Sequence, residues 1–274
     1  MSGEGRMDKA VILARGLGTR MRRGDDQAPL TAQQAAAAAV GVKAMIPIDR
    51  PFLDYVLHDL ADAGYRQICL VIGPEHAQVR EYYGRLACRR IRLDFAVQEK
   101  PLGTADAVAA AEVFAGDEAF LVINSDNYYP LQALQELRGL DGPALAAFER
   151  RALLARSNIP AERISKFAVI QTDGRGVMTR ILEKPAEEVL RTLPEPVCLS
   201  MNCWRFNRTI FEGCRRITPS TRGELELTDA VQYTIDRLGQ RYQALTVRAP
   251  VLDLSCRADV PAVAAQLKGK RVDL

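Results

Sequence analysis

Three short segments of the chain carry residue types that suit phosphate and metal binding. Residues 16–20 (GLGTR) follow an apolar run predicted as a strand, so backbone N–H groups and the Arg20 guanidinium can face a phosphate chain. Lys43 in KAMIPI supplies a point charge, and Asp126 follows another apolar run, where a carboxylate can hold a divalent metal. Together, the segments predict a nucleoside triphosphate site with chemistry at a phosphorus centre.

Each segment also has an ordinary structural interpretation. Gly16 and Gly18 lack the third glycine of a dinucleotide fingerprint and the Gly-Lys-Ser/Thr ending of a P-loop. Asp126 stands in the sequence SDN, which is common turn chemistry. The order of the segments and their positions at strand ends favour the ligand site.

Composition indicates an enzyme-sized globular chain. Its 274 residues, 48% apolar and 26% charged, can bury a substantial core in one large or two closely packed domains. The formal charge of +3, from 37 basic and 34 acidic residues, is too balanced to indicate a nucleic-acid surface. The N-terminal residues lack the apolar core of a signal peptide, and no later run is long enough for a transmembrane helix. We therefore expect a cytoplasmic location, with neither nucleic acid nor membrane as a partner.

The cysteines and histidines favour structural roles. Six cysteines are scattered without a Cys-x-x-Cys pair, and the two histidines lie far from them in sequence, so a zinc site is not expected. Cys69 lies in an apolar run and is interpreted as a core residue. His58 and His76 fall in or near predicted helices. No pattern indicates hydrolytic nucleophilic catalysis.

Apolar runs alternate with amphipathic segments in the first half of the chain. The pattern predicts strands at 9–14, 67–72, 91–97 and 119–123 and helices at 52–63, 75–83 and 104–114. Such alternation predicts a parallel, doubly wound sheet that binds ligands beyond the carboxyl ends of its strands. The second half is mixed, with strands predicted at 167–172, 177–182, 199–206, 244–247 and 251–253 and helices at 209–215, 227–238 and 259–267. We expect this half to form the acceptor side of a cleft.

An alanine-rich segment separates Arg20 from Lys43. Thr31 can cap a helix there, and alanine has the highest helix propensity, although a short helix needs packing to be stable. One hypothesis is that ordering of residues 24–42 closes a lid over the phosphates. The alternative is a surface insertion.

Seven motifs give the chain a family resemblance. They are the loop GLGTR, KAMIPI, QEKPLGTADAV at 98–108, the Asp126-Asn127 pair, EKP at 183–185, RGELELTDAV at 222–231 and VLDLS at 251–255. In this order they closely resemble the sugar-1-phosphate nucleotidyltransferase family, particularly its short uridylyl- and thymidylyltransferase-like members. RGELELTDAV is interpreted first as architecture and second as a substrate contact.

The resemblance implies a Rossmann-like α/β nucleotidyltransferase fold, with a mixed, mostly parallel sheet flanked by helices and a smaller sugar-binding part. It implies one domain over residues 1–274. Residues 8–150 would mainly bind nucleotide and 151–250 the sugar phosphate, whereas 251–274 would return a metal ligand and a terminal helix. The implied reaction joins a nucleoside triphosphate and a sugar-1-phosphate to give an NDP-sugar and pyrophosphate, by in-line displacement with Mg²⁺. Similar enzymes are frequently homo-oligomers, but no interface is legible in the sequence.

The resemblance also assigns roles to individual residues. Catalysis would depend on Arg20, Lys43, Asp126 and Lys184. The metal ligands would be Asp126 and Asp253, and the sugar phosphate would contact Glu183, Lys184 and Asn202. The nucleotide would contact Ala14, Gly16, Gly18, Thr19, Arg20, Gln98, Gly103 and Thr104.

Some residues depart from the family pattern. Arg15 and Ala168 replace glycines that are frequent in the family, so the Arg15 side chain must either point away from the nucleotide or contact a phosphate. The segment Met201-Asn202-Cys203-Trp204 differs from the usual sugar-facing strand, and Trp204 belongs either to the core or to the acceptor pocket. Two alternatives therefore stay open: an enzyme for a non-sugar acceptor such as phosphocholine or a cyclitol phosphate, and a catalytically weak nucleotide-sugar-binding sensor.

Overall fold

The computed structural model describes residues 6–23 and 28–274. Its strands are β1 (Lys9–Leu13), β2 (Gln67–Ile72), β3 (Arg92–Val97), β4 (Phe120–Asn124), β5 (Asn127–Tyr128), β6 (Ala144–Glu149), β7 (Val169–Thr172), β8 (Met178–Leu182), β9 (Cys198–Phe206), β10 (Gln243–Val247) and β11 (Leu252–Asp253).

The helices of the described chain are α1 (Thr19–Arg22), α2 (Ala32–Val40), α3 (Phe52–Ala63), α4 (Ala77–Arg85), α5 (Thr104–Ala110), α6 (Glu112–Ala115), α7 (Leu131–Gly139), α8 (Arg150–Arg156), α9 (Ala161–Ile164), α10 (Glu187–Thr192), α11 (Thr209–Arg216), α12 (Leu227–Leu238) and α13 (Val260–Leu267). Two 3₁₀ turns, Lys43–Met45 and Arg257–Asp259, flank the candidate site.

A nine-stranded sheet forms the centre of the molecule. Seven strands follow one another in the order β10-β6-β9-β4-β1-β2-β3, and the β7-β8 hairpin pairs with β9. Strand β9 is antiparallel to both neighbours, β4 and β6, whereas the other pairs along the path are parallel. The expected mixed, mostly parallel sheet is confirmed.

Both faces of the sheet are buried. Along β4, Leu121 and Ile123 belong to one apolar cluster, and Phe120 and Val122 belong to the other. Because successive side chains of a strand point to opposite faces, this division requires helices on both sides. Helices α3, α7 and α13 contribute to the first cluster, and α5, α11 and α12 contribute to the second.

The chain reverses its direction of winding at β1. It adds β2 and β3 on one side and then returns to add β4 on the other side. Loops that leave the carboxyl ends of β1 and β4 therefore open a crevice at a topological switch point, the usual ligand position in such sheets. The loop at 14–18 and the segment 125–127 leave from these two ends.

Several local expectations are confirmed, and several helix bounds differ. Thr31 accepts a hydrogen bond from Gln34 N, and Gln34 Oε1 accepts one from Thr31 N, so a capping box starts α2. The predicted helix 104–114 is broken at Ala111, whose backbone N–H bonds to Val108 O in a tighter turn. Helix α4 starts two residues later than expected. Residues 24–27 of the proposed lid lie outside the described residues.

No helix within 6–23 and 28–274 combines the length and apolarity needed to cross a bilayer.

Candidate active site

The loop after β1 is built around Gly18. This residue has a φ of 60°, a left-handed conformation that glycine adopts without a steric penalty. A side chain at Gly18 would clash with the backbone carbonyl of Gly41, which ends α2. Gly16, by contrast, has open space where a Cβ would stand. The loop is therefore closely packed at Gly18 and has free space beside Gly16.

Lys43 and Asp126 form an ion pair beside this loop. The 3₁₀ turn Lys43–Met45 holds the lysine, and the end of β4 holds the aspartate. Lys43 Nζ lies 2.7 Å from Asp126 Oδ2, and both side chains are largely buried. Burial weakens solvent screening, so each charge strongly affects the other.

Asp253 reaches Asp126 through a two-stranded ribbon. Strand β11 pairs with β5 so that Asp253 stands opposite Asn127, and Leu254 N donates to Asp126 O at 2.8 Å. Asp253 Oδ1 accepts hydrogen bonds from Asn127 Nδ2 at 2.9 Å and from Ser255 Oγ at 3.1 Å. The chain thus returns, 126 residues after Asn127, to hold a second carboxylate beside the first.

Burial, together with the neighbouring Asp126 carboxylate, raises the pKa of Asp253 to about 6, although Arg163 partly offsets the shift. The Asp253 Oδ2 atom is buried and accepts no hydrogen bond from the described residues. Arg163 Nη2 lies 3.1 Å from it as an ion-pair partner. Asp253 consequently offers one carboxylate oxygen that has an ion-pair partner but no hydrogen bond, close to a second carboxylate.

Arg163 is held by Asp259. Its Nη2 and Nη1 atoms donate to the two carboxylate oxygens of Asp259 at 2.8 and 3.0 Å. Asp259 Oδ2 also accepts from the N–H groups of Ser255 and Cys256 at 2.8 Å each. Because Asp259 receives four hydrogen bonds, it fixes the guanidinium that contacts Asp253.

Gln98 follows β3 and forms one wall of the crevice. The residue is buried, and its Nε2 donates to Gly103 O at 3.0 Å and to Asp106 Oδ2 at 2.8 Å. Both amide protons are thereby engaged, which leaves Oε1 as an acceptor. Arg15 donates to the backbone carbonyl of Gln98, and its Nε lies 3.1 Å from Glu75 Oε1. The Arg15 guanidinium is therefore engaged within the protein rather than free for a phosphate.

The segments 102–105 and 225–227 are joined by backbone hydrogen bonds. Leu225 N donates to Leu102 O at 2.7 Å, and Ala105 N donates to Leu225 O at 2.9 Å. Gly103, with a φ of 124°, packs so closely on Leu225 that a side chain would collide with its backbone. Thr104 Oγ1 accepts from Leu227 N at 2.9 Å. The expected architectural role applies at positions 225 and 227.

A first cavity of about 490 Å³ opens at the switch point. Every residue predicted to contact nucleotide lines it, together with Lys43 and Asp126: Ala14, Gly16, Gly18, Thr19, Arg20, Gln98, Gly103 and Thr104. The assembly of these residues around one space supports their common role, which stays a prediction for each side chain.

A second cavity, also of about 490 Å³, lies beside the first and is lined by Glu183, Lys184 and Asn202. Burial raises the pKa of Glu183, although Lys184, 3.9 Å away, partly offsets the shift. Lys184 and Asn202 have φ angles of 43° and 53° and are the non-glycine residues with positive φ in the described chain. Such conformations concentrate at functional sites.

Sequence reasoning missed several residues of the site. Arg163, Lys166 and Arg222 line the second cavity, and Asp259 supports Arg163. Asp253, predicted as a metal ligand, lines neither cavity and is buried behind Asp126. In one sequence, an arginine on a four-residue helix carries no signal that would identify it.

The structural interpretations of other residues are confirmed. Cys69 is fully buried, and burial raises the pKa of its thiol to about 12. His76 Nδ1 accepts from Gly73 N at 3.0 Å, and burial lowers the pKa of this imidazole. The Trp204 ring packs in the core against Phe206 and Tyr242.

Residues 9–249 match the sequence model of one protein family, named nucleotidyl transferase. This match covers most of the chain, including both cavities. The chain belongs to the nucleotidyl transferase family. The suspected resemblance is thus confirmed at family level.

The sequence identity to individual relatives is low. The chain is 31% identical to a glucose-1-phosphate thymidylyltransferase from Streptomyces antibioticus over 92% of this chain and 64% of that one. It is 26% identical to the low-salt glycan biosynthesis nucleotidyltransferase Agl11 from Haloferax volcanii, over 83% and 57% respectively. The chain therefore spans less than two thirds of the length of these relatives. A UTP–glucose-1-phosphate uridylyltransferase, AglF, from the same organism is 27% identical over 92% of this chain and 93% of its own length.

Solved structures of similar fold agree with the topology. A UDP-glucose pyrophosphorylase complexed with UDP-glucose superposes with a TM-score of 0.74 over 97% of this chain and all of the other, at 20% identity. At this identity, the likeness establishes the fold alone.

Proposed function

We propose that the chain transfers a nucleotidyl group from a nucleoside triphosphate to a sugar-1-phosphate. The observation that carries the proposal is the pair of adjacent cavities, of which one has the glycine loop with Lys43 and Asp126, and the other has Glu183 and Lys184. Two anionic reactants need neighbouring sites with cationic side chains between them. The names of the relatives support the same chemistry.

The reaction is a displacement at the α-phosphorus. An oxygen of the sugar phosphate forms a bond to that phosphorus as the bond to the β-phosphate oxygen breaks, so an NDP-sugar and pyrophosphate result. Arg20 and the loop N–H groups bind the triphosphate, and Lys43 balances charge on the departing pyrophosphate. Lys184 holds the sugar phosphate, and Glu183 accepts hydrogen bonds from sugar hydroxyls.

The carboxylates fit a divalent cation, which we take to be Mg²⁺. Asp126 lies at the edge of the first cavity, and Asp253 offers a buried oxygen without a hydrogen bond. Oxygen donors of this kind are the ligands that Mg²⁺ prefers. When bound, the ion neutralises charge on the phosphate oxygens. Departure of Lys43 from Asp126 would leave both carboxylate oxygens open to the cation, and the triphosphate offers the ammonium a new partner.

Gln98 faces the nucleobase in this proposal. Because both protons of its amide are engaged, Oε1 can accept a hydrogen bond from an N–H group of the base. Uracil, thymine and the other bases all offer such a donor, so the identity of the base is a matter for experiment.

The test is pyrophosphate release with Mg²⁺ over a matrix of UTP, dTTP, CTP, ATP and GTP against several sugar-1-phosphates. We expect release only when both substrates are present, and a loss of roughly 10²-fold in Asp126→Asn. Asp117→Asn is the matched control, because Asp117 is exposed and paired only with Arg208 in the described chain. If pyrophosphate were released with phosphocholine or a cyclitol phosphate as the acceptor, but with none of the sugar-1-phosphates, the acceptor would belong to a non-sugar class. Nucleotide binding without any release would indicate a sensor.

A further inference from the structure

Asn202 lies in an irregular part of β9. Leu145 pairs with Trp204 and Ala147 pairs with Ser200, so three residues of β9 stand opposite Ala146 alone. This bulge gives Asn202 its φ of 53°. Bulges redirect side chains and are frequent beside active sites. Here the bulge turns one residue of a core strand towards the cavities.

The carboxamide of Asn202 has a defined orientation. Trp204 Nε1 donates to Asn202 Oδ1 at 3.4 Å. An indole N–H only donates, so the oxygen of the carboxamide must face it and the NH₂ group must face away. Asn202 Nδ2 makes no hydrogen bond within the part of the chain that the structure describes. The buried tryptophan thus orients the Asn202 Nδ2 group, a donor that has no partner in the described residues.

Asn202 belongs to the junction of the two cavities. Four residues line both spaces: Arg20, Thr104, Asn202 and Glu224. If the triphosphate occupies the first cavity and the sugar phosphate the second, the reacting phosphates meet at this junction. Arg20 and Asn202 contribute N–H donors there, and such donors suit the oxygens of a phosphoryl group.

We propose that Asn202 Nδ2 donates a hydrogen bond to a non-bridging oxygen of the α-phosphoryl group during its transfer. The inference rests on the proposed function and adds a catalytic residue to it. The hydrogen bond would be stronger in the transition state, in which the attacking and leaving oxygens share the phosphorus, than in the ground state. It would therefore lower the barrier to transfer. Trp204 then has a second role in addition to packing, because it orients the amide.

A purely conformational role for Asn202 makes a different prediction. Asparagine tolerates the left-handed region better than most residues, so the bulge alone is a sufficient reason for its presence. Glycine fits the same conformation without any side chain. Asn202→Gly therefore keeps the backbone and removes the donor. Asn202→Asp keeps an acceptor for Trp204 Nε1 and also removes the donor, while adding a negative charge.

The experiment compares wild type with both variants in pyrophosphate release, nucleotide affinity and thermal unfolding. We expect Tm and the triphosphate Kd to stay close to wild type and kcat to fall roughly 10²-fold in Asn202→Gly, with a fall at least as large in Asn202→Asp. Unchanged kcat in Asn202→Gly would overturn the proposal. A loss of Tm and Kd in parallel with kcat would also overturn it, because that pattern belongs to a structural role.

The fluorescence of Trp204 provides an independent measurement, since Trp204 is the one tryptophan of the sequence. Its fluorescence should change when UDP-glucose or the active NDP-sugar is added, and this response should be lost in Asn202→Gly. If wild type released no pyrophosphate with any pair, the proposed function would fail. The fluorescence would then decide the Asn202 contact alone: a response lost in the variant supports it, and an identical response in both proteins contradicts it.

Discussion

Lys43 Nζ and Asp126 Oδ2 lie 2.7 Å apart, so the two charges expected to serve a metal-bound triphosphate neutralise each other in the absence of ligand. Neither side chain is freely exposed. Separation of the pair would free the Asp126 oxygen that faces Lys43 for a cation, and the same event would release Lys43 towards the phosphates. The metal and the nucleotide are therefore expected to help each other bind.

Because Lys43 competes with a cation for Asp126, Lys43→Met should have opposite effects on metal binding and on turnover. Removing the ammonium should strengthen binding of Mn²⁺, as a probe ion, to the nucleotide-free protein, because Asp126 loses its competitor. Turnover should nevertheless fall roughly 10²-fold, because the charge on the departing pyrophosphate is no longer balanced. Calorimetric titration with Mn²⁺ and steady-state kinetics measure the two effects. Lys268→Met, at an exposed position, is the control. Weaker Mn²⁺ binding in Lys43→Met would contradict the competition.

The two glycines of the loop should respond differently to alanine. Gly18→Ala introduces a side chain at a φ of 60° and into the Gly41 carbonyl, so the free energy of unfolding should fall by about 2 kcal/mol or more. Gly16→Ala meets open space in the free protein and should leave stability unchanged. It should weaken nucleotide binding instead, because the methyl group takes the place of a phosphate oxygen. Denaturant unfolding and nucleotide titration separate the two effects, and equal stability losses would refute the distinction.

Asp253 should make Mg²⁺ stabilisation depend on pH. Its pKa of about 6 in the folded protein exceeds the ordinary value of 3.8, so the metal-free fold binds this proton more tightly than the unfolded chain does. The corresponding stability is fully present below the ordinary pKa and is lost as pH rises through about 6. Mg²⁺ competes with the same proton. The rise in Tm on adding Mg²⁺ should consequently be small near about pH 5 and larger near about pH 7.5.

Asp253→Asn serves as the comparison for that experiment. It removes both the proton site and the charge, so the pH dependence of the Mg²⁺ effect should largely disappear. If the variant shows the same pH-dependent Mg²⁺ effect as wild type, another group is responsible.

Replacement of Arg163 should lower the free energy of unfolding and change how the protein responds to a metal ion. Its side chain is 15% exposed, and Asp253 and Asp259 beside it are 6% and 5% exposed, so Arg163→Met leaves two buried carboxylates without their cation. Removing one partner of such a group costs roughly 3 kcal/mol. Arg151→Met, which breaks an exposed pair with Glu195, should change the unfolding free energy by less than about 1 kcal/mol.

Added Mg²⁺ distinguishes the two contacts of Arg163. If the guanidinium mainly serves the fold through Asp259, the stability loss in Arg163→Met should persist at saturating Mg²⁺. If it mainly balances Asp253, the bound cation should recover part of the loss. We expect partial recovery, because Nη2 contacts both carboxylates.

Much of the sheet was predictable, because its strands follow strong local patterns. The helix at 52–63 and the strand at 67–72 have the predicted bounds, since Gly64 ends the helix and the strand is apolar after Gln67. Strand β6 was missed. Its sequence, ALAAFE, is rich in alanine, and its strand state depends on pairing with β9 and β10 rather than on propensity.

The site was predictable where motifs mark strand ends. Asp126 and Gln98 were predicted from such strand ends and Lys43 from the motif KAMIPI, and all three line one cavity. Arg163 and Asp259 were not identified, because their partnership joins positions 96 residues apart and no local pattern encodes it. The orientation of Asn202 was likewise invisible, since it depends on a bulge and on the indole of Trp204.

The contact between Gly18 and Gly41 has a consequence for the evolution and engineering of this chain. Helix α2 ends in the carbonyl that fills the space beside Gly18, so the loop and the helix share one surface. A change in the length of the segment before Gly41 keeps this packing only if the segment still returns a backbone carbonyl to the same point. A graft of this loop onto another scaffold would therefore reproduce its present packing only if helix α2 were transplanted with it.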